Sequence, residues 1–142
     1  MKGPLLAFDF GEKRIGVAVG DLEIGIAHPL QTISTEGNEL RFSMIGAMIA
    51  EWKPVLLIVG LPLHMDGTEH ELTRLCRRFG RRLEGRFGIP VCLVDERLTS
   101  VEAGQSLRQA GVSGIAQKAM VDQVAAQHIL QSYLDDQAHA TA

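Results

Sequence analysis

Over the first 33 residues, short apolar runs alternate with short gaps that contain glycine. The runs at residues 5–10, 14–19 and 24–33 have the length and alternation of β-strands. Gaps this short fit hairpin turns, so the three strands are predicted to pair antiparallel. The N-terminal part of the chain is therefore interpreted as a β-meander.

The hydrophobic period then changes from strand-like to helical. Residues 40–52 carry apolar side chains three or four positions apart, and Pro54 ends the pattern. The remaining predicted elements are helices over 68–87, 100–110 and 117–134 and strands over 55–59 and 89–94. Continuous apolar runs such as the last two are typical of parallel strands that are covered on both faces.

The predicted element order is β-β-β-α-β-α-β-α-α. A meander followed by βα units predicts an α/β fold with a five-stranded mixed sheet, three antiparallel strands and then two parallel ones, with helices on both faces. Functional groups in such a fold are expected at the carboxyl ends of the parallel strands. With 142 residues, the chain is expected to form a single domain over residues 1–142.

Composition narrows the class of protein. Hydrophobic residues make up 46% and charged residues 22% of the chain, values typical of a globular protein with its own core. No apolar run approaches the roughly 20 residues of a membrane span, and the N-terminal run is too short for a signal peptide. Cys76 and Cys92 lie far apart without a CxxC spacing, so we expect no disulfide framework or zinc site and a cytoplasmic location.

Basic residues are concentrated in one segment, although the net charge of the chain is −3. Ten of the fourteen are arginines, and Arg74, Arg77, Arg78 and Arg81 lie opposite an apolar helical stripe. Arginine forms bidentate pairs with phosphate, which supports a nucleic-acid-binding face, the alternative being a solvated surface. The aromatic content of 5% gives little support to single-strand binding by base stacking.

Acidic residues occur where two predicted strands end and inside the last helix. Asp9 ends the first strand, Asp95 and Glu96 end the last strand, and Asp122 lies on a helical face of small and apolar residues that should turn toward the sheet. A carboxylate among apolar neighbours is costly unless it is paired or binds a cation. Three converging carboxylates with no basic residue fixed among them would form an all-oxygen site suited to Mg²⁺ or Mn²⁺.

Each acid also has an ordinary structural interpretation. Asp9 fits a turn, and the acids at 95 and 96 fit the start of a helix, where negative charge is favoured. Asp122 fits an ion pair with Lys118, one helical turn before it. Composition and spacing leave both interpretations open.

Four segments carry a family pattern. They are LAFDFGEKRIGVA at 6–18, VGLP at 59–62 with DGTE at 66–69, VDERLTS at 94–100 and KAMVDQVAA at 118–126. In this order they resemble the bacterial pre-16S rRNA nucleases, also called Holliday-junction-resolvase-like proteins, of the ribonuclease H-like superfamily. The first segment is shared across that superfamily, whereas DERLTS is specific to the family.

The resemblance implies a ribonuclease H-like nuclease that hydrolyses phosphodiester bonds in the 5′-end processing of precursor 16S rRNA, a step of ribosome biogenesis. It implies that Asp9, Glu96 and Asp122 are catalytic and together hold two Mg²⁺ or Mn²⁺ ions. Related resolvases carry an acid at the end of the fourth strand, where this chain has residues 60–62, Gly-Leu-Pro. Glu96 is therefore the expected second ligand, and Asp95 stays open until the strand register is known.

The expected partner is a nucleic acid, with precursor rRNA favoured over junction DNA and the ribosome as a further partner. Arg14, Arg97 and Lys118 lie near the proposed acids and are expected to position substrate phosphates. Residues 60–62 are interpreted either as a backbone wall beside the scissile phosphate or as a tight exit from the strand. The chain is expected to act as a monomer or a homodimer.

Three alternative functions are open at the level of sequence. A Holliday junction DNA resolvase would share the fold and would need two active sites in a symmetric dimer. An actin-like ATPase has a phosphate-binding hairpin similar to the segment from Asp9 to Gly16, but it closes two domains over its nucleotide. A non-catalytic RNA- or ribosome-binding module would keep the acids for structure only, and a metal titration would distinguish it from the enzyme.

Overall fold

The secondary structure follows the predicted order of strands and helices. The computed structural model of the chain describes residues 2–35, 37–63, 66–96 and 114–140, with side chains at 120–139 in the last segment. Its elements are β1 Pro4–Phe10, β2 Ile15–Asp21, β3 Ala27–Ile33, α1 Asn38–Trp52, β4 Leu56–Leu61, α2 Glu71–Phe87, β5 Val91–Asp95 and α3 Gly114–Ala140. Every element predicted within these ranges is present, and the helix predicted over 100–110 lies outside them.

Helix α2 begins at Glu71 rather than at the predicted residue 68. The backbone N–H of His70 donates to Thr73 Oγ1 at 3.1 Å, and the Thr73 hydroxyl donates to the carbonyl of Pro62, just after β4. These bonds satisfy groups that would otherwise lack partners around the first helical turn. They also attach the start of α2 to the end of β4.

The strands form a mixed sheet in the order β3-β2-β1-β4-β5. β1 pairs antiparallel with β2, and β2 with β3, as their short connections require. β1 pairs parallel with β4, and β4 with β5. The predicted mixed sheet is confirmed, and the carboxyl ends of β1, β4 and β5 lie together at one end of the sheet, called here the carboxyl edge.

Buried apolar side chains form a core on each face of the sheet. On one face, alternate strand residues such as Leu6 and Phe8 pack with residues of α1 and α2. On the other face, Leu5, Ala7 and Ile58 pack with residues of α3. Burial of each large apolar side chain contributes roughly 1.5–3 kcal/mol to stability. Because a shift of one residue would turn these side chains to the other face of the sheet, their burial determines the orientation of each strand.

The described helices lie on both faces of the sheet, as predicted. Among the residues that the structure describes, no helix is long and apolar enough to cross a membrane.

Candidate active site

Three residues at the carboxyl edge lie on the face of the sheet that α3 covers. They are Asp9, Gly60 and Glu96. The residues two positions before them, Ala7, Ile58 and Val94, belong to or pack against the hydrophobic core between the sheet and α3. Because side chains alternate along a strand, these three residues face α3 as well. The backbone N–H of Glu96 donates to the carbonyl of Leu61 at 3.0 Å, which continues the pairing of β4 with β5 past the last strand residue.

Gly60 leaves the space that the Glu96 carboxyl group occupies. A Cβ atom on residue 60 would lie 2.6 Å from Glu96 Oε2 and 2.9 Å from Glu96 Cδ. The carboxyl group therefore lies over the backbone of β4, the strand between β1 and β5, and interacts with Asp9. The segment 60–62, interpreted from sequence as a wall or a strand exit, thus contributes the floor beneath Glu96 and, through Pro62, the attachment of α2.

Asp9 and Glu96 form a hydrogen-bonded carboxyl pair. The pKa of Glu96 is raised from its ordinary value of 4.5 to about 9, first by burial and then by the charge of Asp9. The pKa of Asp9 is raised from 3.8 to about 7, first by burial and then by the charge of Asp122. The hydrogen bond raises the pKa of Glu96 and lowers that of Asp9. At neutral pH the Glu96 carboxyl group is therefore protonated, and its O–H donates a hydrogen bond to the Asp9 carboxylate.

One oxygen of this pair has no hydrogen-bond donor. Glu96 is only 8% exposed, and no described group donates to its buried Oε2 atom. A buried acceptor without a donor costs about 1–3 kcal/mol. An all-oxygen pair with one such atom fits a hard divalent cation, because Mg²⁺ and Mn²⁺ prefer carboxylate oxygens.

Cys76 lies near the carboxyl pair but does not suit a role as a ligand. Burial, followed by the negative charges of Glu96 and Asp9, raises the pKa of the Cys76 thiol to about 12. The thiol is therefore neutral at physiological pH, whereas metal ligation and nucleophilic attack both require the thiolate. The donor set of the site consists of oxygen atoms.

Asp122 reaches the carboxyl edge because α3 lies directly on β2. A Cβ atom on Gly16 would lie 1.9 Å from the backbone carbonyl oxygen of Asp122, so only glycine fits there. Gly16 is the partner of Asp9 in the pairing of β1 with β2. The predicted helical face is confirmed, since Ala125, Ala126 and Ile129 are buried.

Asp122 is paired with Arg14 rather than with the other two acids. Arg14 Nε donates to Asp122 Oδ2 at 2.5 Å, with side chains that are 36% and 16% exposed. The expectation that no basic residue is fixed among the acids was therefore wrong, because the turn between β1 and β2 places Arg14 beside α3. Within the described ranges, no three Asp, Glu, His or Cys side chains are positioned to hold one metal ion together.

The two neighbouring acids at the end of β5, Asp95 and the Glu96 that follows it, differ in exposure. Asp95 is exposed, whereas Glu96 is buried against Asp9. Asp95 acts on the site through its charge, which contributes to the raised pKa of Glu96. Of the other predicted phosphate contacts, Arg97 and the side chain of Lys118 lie outside the described residues.

The predicted arginine face of α2 divides into differently paired residues. Arg74 pairs with Glu71 at 2.5 Å, and Arg77 pairs with Glu69 at 2.8 Å. Arg81 lines a shallow groove beside β5. Arg78 lines a cavity between α1 and α2 that also includes residues absent from the sequence prediction, Arg41 and Arg82. The sequence could have indicated Arg82, because it follows Arg78 by one helical turn and so lies on the same side of α2.

Sequence comparison places the chain near a set of bacterial proteins. The sequence model of a family described as "RuvX: Holliday junction resolvase" matches residues 3–136. A protein of Methylobacillus flagellatus named "Putative pre-16S rRNA nuclease" is 63% identical over 134 residues, covering 94% of this chain and 92% of that protein. A protein of the same name from Nitrosomonas europaea is 60% identical over 133 residues, covering 94% and 90%.

Solved structures share the fold at low sequence identity. The resolvase of fowlpox virus, solved with Holliday junction DNA, aligns with a TM-score of 0.60 at 10% identity and covers 94% of this chain and 98% of its own. RuvC from Thermus thermophilus aligns with a TM-score of 0.55 at 14% identity and covers 96% of each chain. The predicted ribonuclease H-like architecture is thereby confirmed.

Proposed function

The chain belongs to the RuvX family and is a nuclease, and we propose that it depends on a divalent metal and processes the 5′ end of precursor 16S rRNA. The names of its close relatives support this substrate. We further propose that residues 1–142 act as one nuclease domain in the cytoplasm, with Mg²⁺ or Mn²⁺ as the metal and the immature ribosome as a partner.

The observation that carries this proposal is the Asp9–Glu96 pair at the carboxyl edge. A buried carboxyl pair that keeps a proton at neutral pH and leaves Glu96 Oε2 without a donor is unfavourable for the fold alone. Buried acids with strongly raised pKa values are typical of functional sites. A purely structural role for these acids would not explain this arrangement.

The residues proposed to hold the metal are Asp9, Glu96 and Asp122. A divalent ion, when bound, supplies a Lewis acid for the phosphate and lowers the pKa of water. For all three side chains to present charged oxygens to one ion, the Asp9–Glu96 pair must lose its shared proton. Asp122, which is already ionised in its pair with Arg14, must turn toward the other two acids. No side-chain nucleophile is required, which agrees with the neutral Cys76 thiol.

The residues proposed to position the substrate are basic. Arg14, once separated from Asp122, would place a guanidinium group beside the carboxylates, where it can bind a substrate phosphate. Arg97 and Lys118 are proposed to contact phosphates near the same site. Further from the acids, the proposed contacts are Arg74, Arg77, Arg78 and Arg81 of α2.

Cleavage of an RNA with the 5′ leader of 16S rRNA tests the proposal. With Mg²⁺ or Mn²⁺, the wild-type chain should produce the mature 5′ end, mapped by primer extension. Asp9→Asn and Glu96→Gln should each reduce the rate by at least about 100-fold, as loss of one member of a shared site does. The exposed Asp136→Asn is the matched control and should cleave normally. Undiminished cleavage by Asp9→Asn would refute the assigned site.

Holliday junction cleavage is the second candidate. The description of the family names a Holliday junction resolvase, and a structural neighbour is a viral resolvase solved with junction DNA. Junction resolution normally uses two active sites in a symmetric dimer. Junction DNA should therefore be assayed beside the RNA, and the oligomeric state should be measured by sedimentation. Symmetric cleavage of the junction by a dimer, with an inert RNA, would select this candidate over rRNA processing.

A further inference from the structure

A cavity of about 230 Å³ lies between the β1–β2 turn, α1 and α2, on the face of the sheet opposite the carboxyl pair. Its walls include the rings of Phe10, Phe42 and Phe79, and its charged groups include Arg78 and Arg82. Cavities for drug-sized ligands are larger, roughly 300–1,000 Å³. The space is therefore suited to a group smaller than a drug-sized ligand.

The aromatic wall of the cavity is part of a single cluster. Although aromatic residues make up only 5% of the chain, its five phenylalanines are connected by ring contacts. The Phe10 and Phe79 ring centroids lie 4.8 Å apart, and those of Phe42 and Phe79 lie 6.0 Å apart. The Phe42 and Phe79 rings are only 4% exposed and support the partly exposed Phe10 ring, which is the ring against which an unpaired base can stack.

The charges around the cavity favour an anion. Among the described residues, neither Arg78 nor Arg82 forms an ion pair or a side-chain hydrogen bond, in contrast to Arg74 and Arg77. Arg41 is 5% exposed and donates to the backbone carbonyls of Thr35 and Glu12, so no described carboxylate neutralises it. The cavity lining thus contains three arginines and one acidic residue, Glu12.

The cavity is connected to the proposed active site through β1 and its turn. Phe10 follows Asp9 directly, and the turn that contributes Glu12 also carries Arg14, the partner of Asp122. Because the cavity and the Asp9 carboxyl group lie on opposite faces of the sheet, a strand bound at Asp9 would reach the cavity by passing round the β1–β2 turn.

We propose that this cavity binds one unpaired nucleotide of the substrate, with its base against the Phe10 ring and its phosphate at Arg78 and Arg82. This inference rests on the proposed nuclease function, because the ligand is part of the strand to be cut. It also specifies that function, because a base can enter the cavity only from a single-stranded segment. Precursor RNA that is unpaired beside the cleavage position meets this requirement.

Fluorescence of a short single-stranded RNA tests the proposal. The RNA carries 2-aminopurine at one position, which is moved along a series of oligonucleotides, and binding is measured in EDTA so that no cleavage occurs. Insertion into the cavity separates the probe from its neighbouring bases, so one position should brighten on binding. Arg78→Gln with Arg82→Gln should remove this signal. It should also lower the slope of log affinity against log salt concentration by about 0.7, because both arginines bind one phosphate.

Two matched controls separate the cavity from general charge and from folding. Lys2→Gln with Lys53→Gln removes the same charge from exposed positions outside the cavity lining and should leave the signal intact. Asn38→Trp places a large side chain on a cavity-lining residue without changing charge, and Leu40→Trp does so on an exposed residue outside the lining. Only Asn38→Trp should remove the signal, with circular dichroism unchanged in both.

The outcomes distinguish this inference from the proposed function. If wild-type protein cleaves RNA but no position brightens, or if Arg78→Gln with Arg82→Gln keeps the signal, the cavity proposal is wrong and the nuclease assignment stands. If one position brightens through Arg78 and Arg82 but no nucleic acid is cleaved, the cavity binds nucleotides and the proposed function is wrong.

Discussion

The Glu96 carboxyl group lies above Gly60, with Oε2 only 2.6 Å from the position that a Cβ atom on residue 60 would occupy. Because Gly60 has no Cβ atom, the acid that follows β5 can reach across β4 and meet Asp9 on β1. The glycine in β4 and the glutamate after β5 together place one carboxyl group over the strand between β1 and β5.

Gly60→Ala should disrupt the carboxyl pair without removing any functional group. The new methyl group would meet Ile129 Cδ1 at 2.5 Å as well as Glu96 Oε2, so Glu96 must shift. We expect cleavage to fall about 100-fold, as displacements near 1 Å can cause, and stability to fall by about 1–3 kcal/mol from overpacking. Gly85→Ala, which meets nothing within 4 Å on an exposed part of α2, is the control and should be neutral or stabilising. Equal activity in both variants would show that the position of Glu96 is unimportant.

Stability without metal should decrease as pH rises. Since the pKa of Glu96 is raised from 4.5 to about 9 and that of Asp9 from 3.8 to about 7, the folded chain holds more protons than the unfolded chain between these limits. The free energy of unfolding should fall by about 1.4 kcal/mol per pH unit for each retained proton. The stabilisation that comes from these raised pKa values is fully present below about pH 4 and is lost by about pH 9.

Urea unfolding in EDTA across this pH range measures the effect. Glu96→Gln keeps a neutral hydrogen-bond donor to Asp9 and removes the titration, so its stability should exceed that of the wild type at pH 8 and approach it near pH 4. Parallel stability curves for the two proteins would contradict the assignment of the shared proton.

Mg²⁺ and Mn²⁺ should raise the melting temperature, and EDTA should reverse the rise. An ion that binds only the folded chain stabilises it by mass action. Because the Asp9–Glu96 pair holds a proton at neutral pH, binding should also release about one proton, which calorimetry in buffers of different ionisation enthalpy detects. Zn²⁺ should add little, and Ca²⁺ should stabilise while supporting poor cleavage. A melting shift that persists in Asp9→Asn would place the ion elsewhere.

Arg14→Gln should strengthen the response to Mg²⁺ and weaken the metal-free protein. The Arg14–Asp122 pair is partly exposed, so its loss should cost only about 0.5–1 kcal/mol. Asp122 would then be able to bind the ion together with Asp9 and Glu96, so the Mg²⁺-dependent rise in melting temperature should increase. Lys13→Gln, an exposed position in the same turn, is the control. A smaller rise in Arg14→Gln than in Lys13→Gln would show that Arg14 supports the metal site rather than competing for Asp122.

The sequence alone determined the elements and the order of strand types. Strand alternation, helical period and the short gaps before residue 33 are local properties, so they predicted the meander, the parallel strands and the helices on both faces. The family motifs added the three acids as candidates. Arginine spacing on α2 indicated a basic face but not which members of it are already paired.

Tertiary structure decided what depends on contacts between distant segments. Which of Asp95 and Glu96 lies beside Asp9 depends on the orientation of β5 against β4, since neighbouring residues of an extended strand face opposite sides of a sheet. The Arg14–Asp122 pair joins residues 108 positions apart and exists because Gly16 lets α3 approach β2. Gly16 and Gly60 have no side chain whose pattern could reveal this role. Their function is the space they leave, and that space exists only once the strands and α3 are packed together.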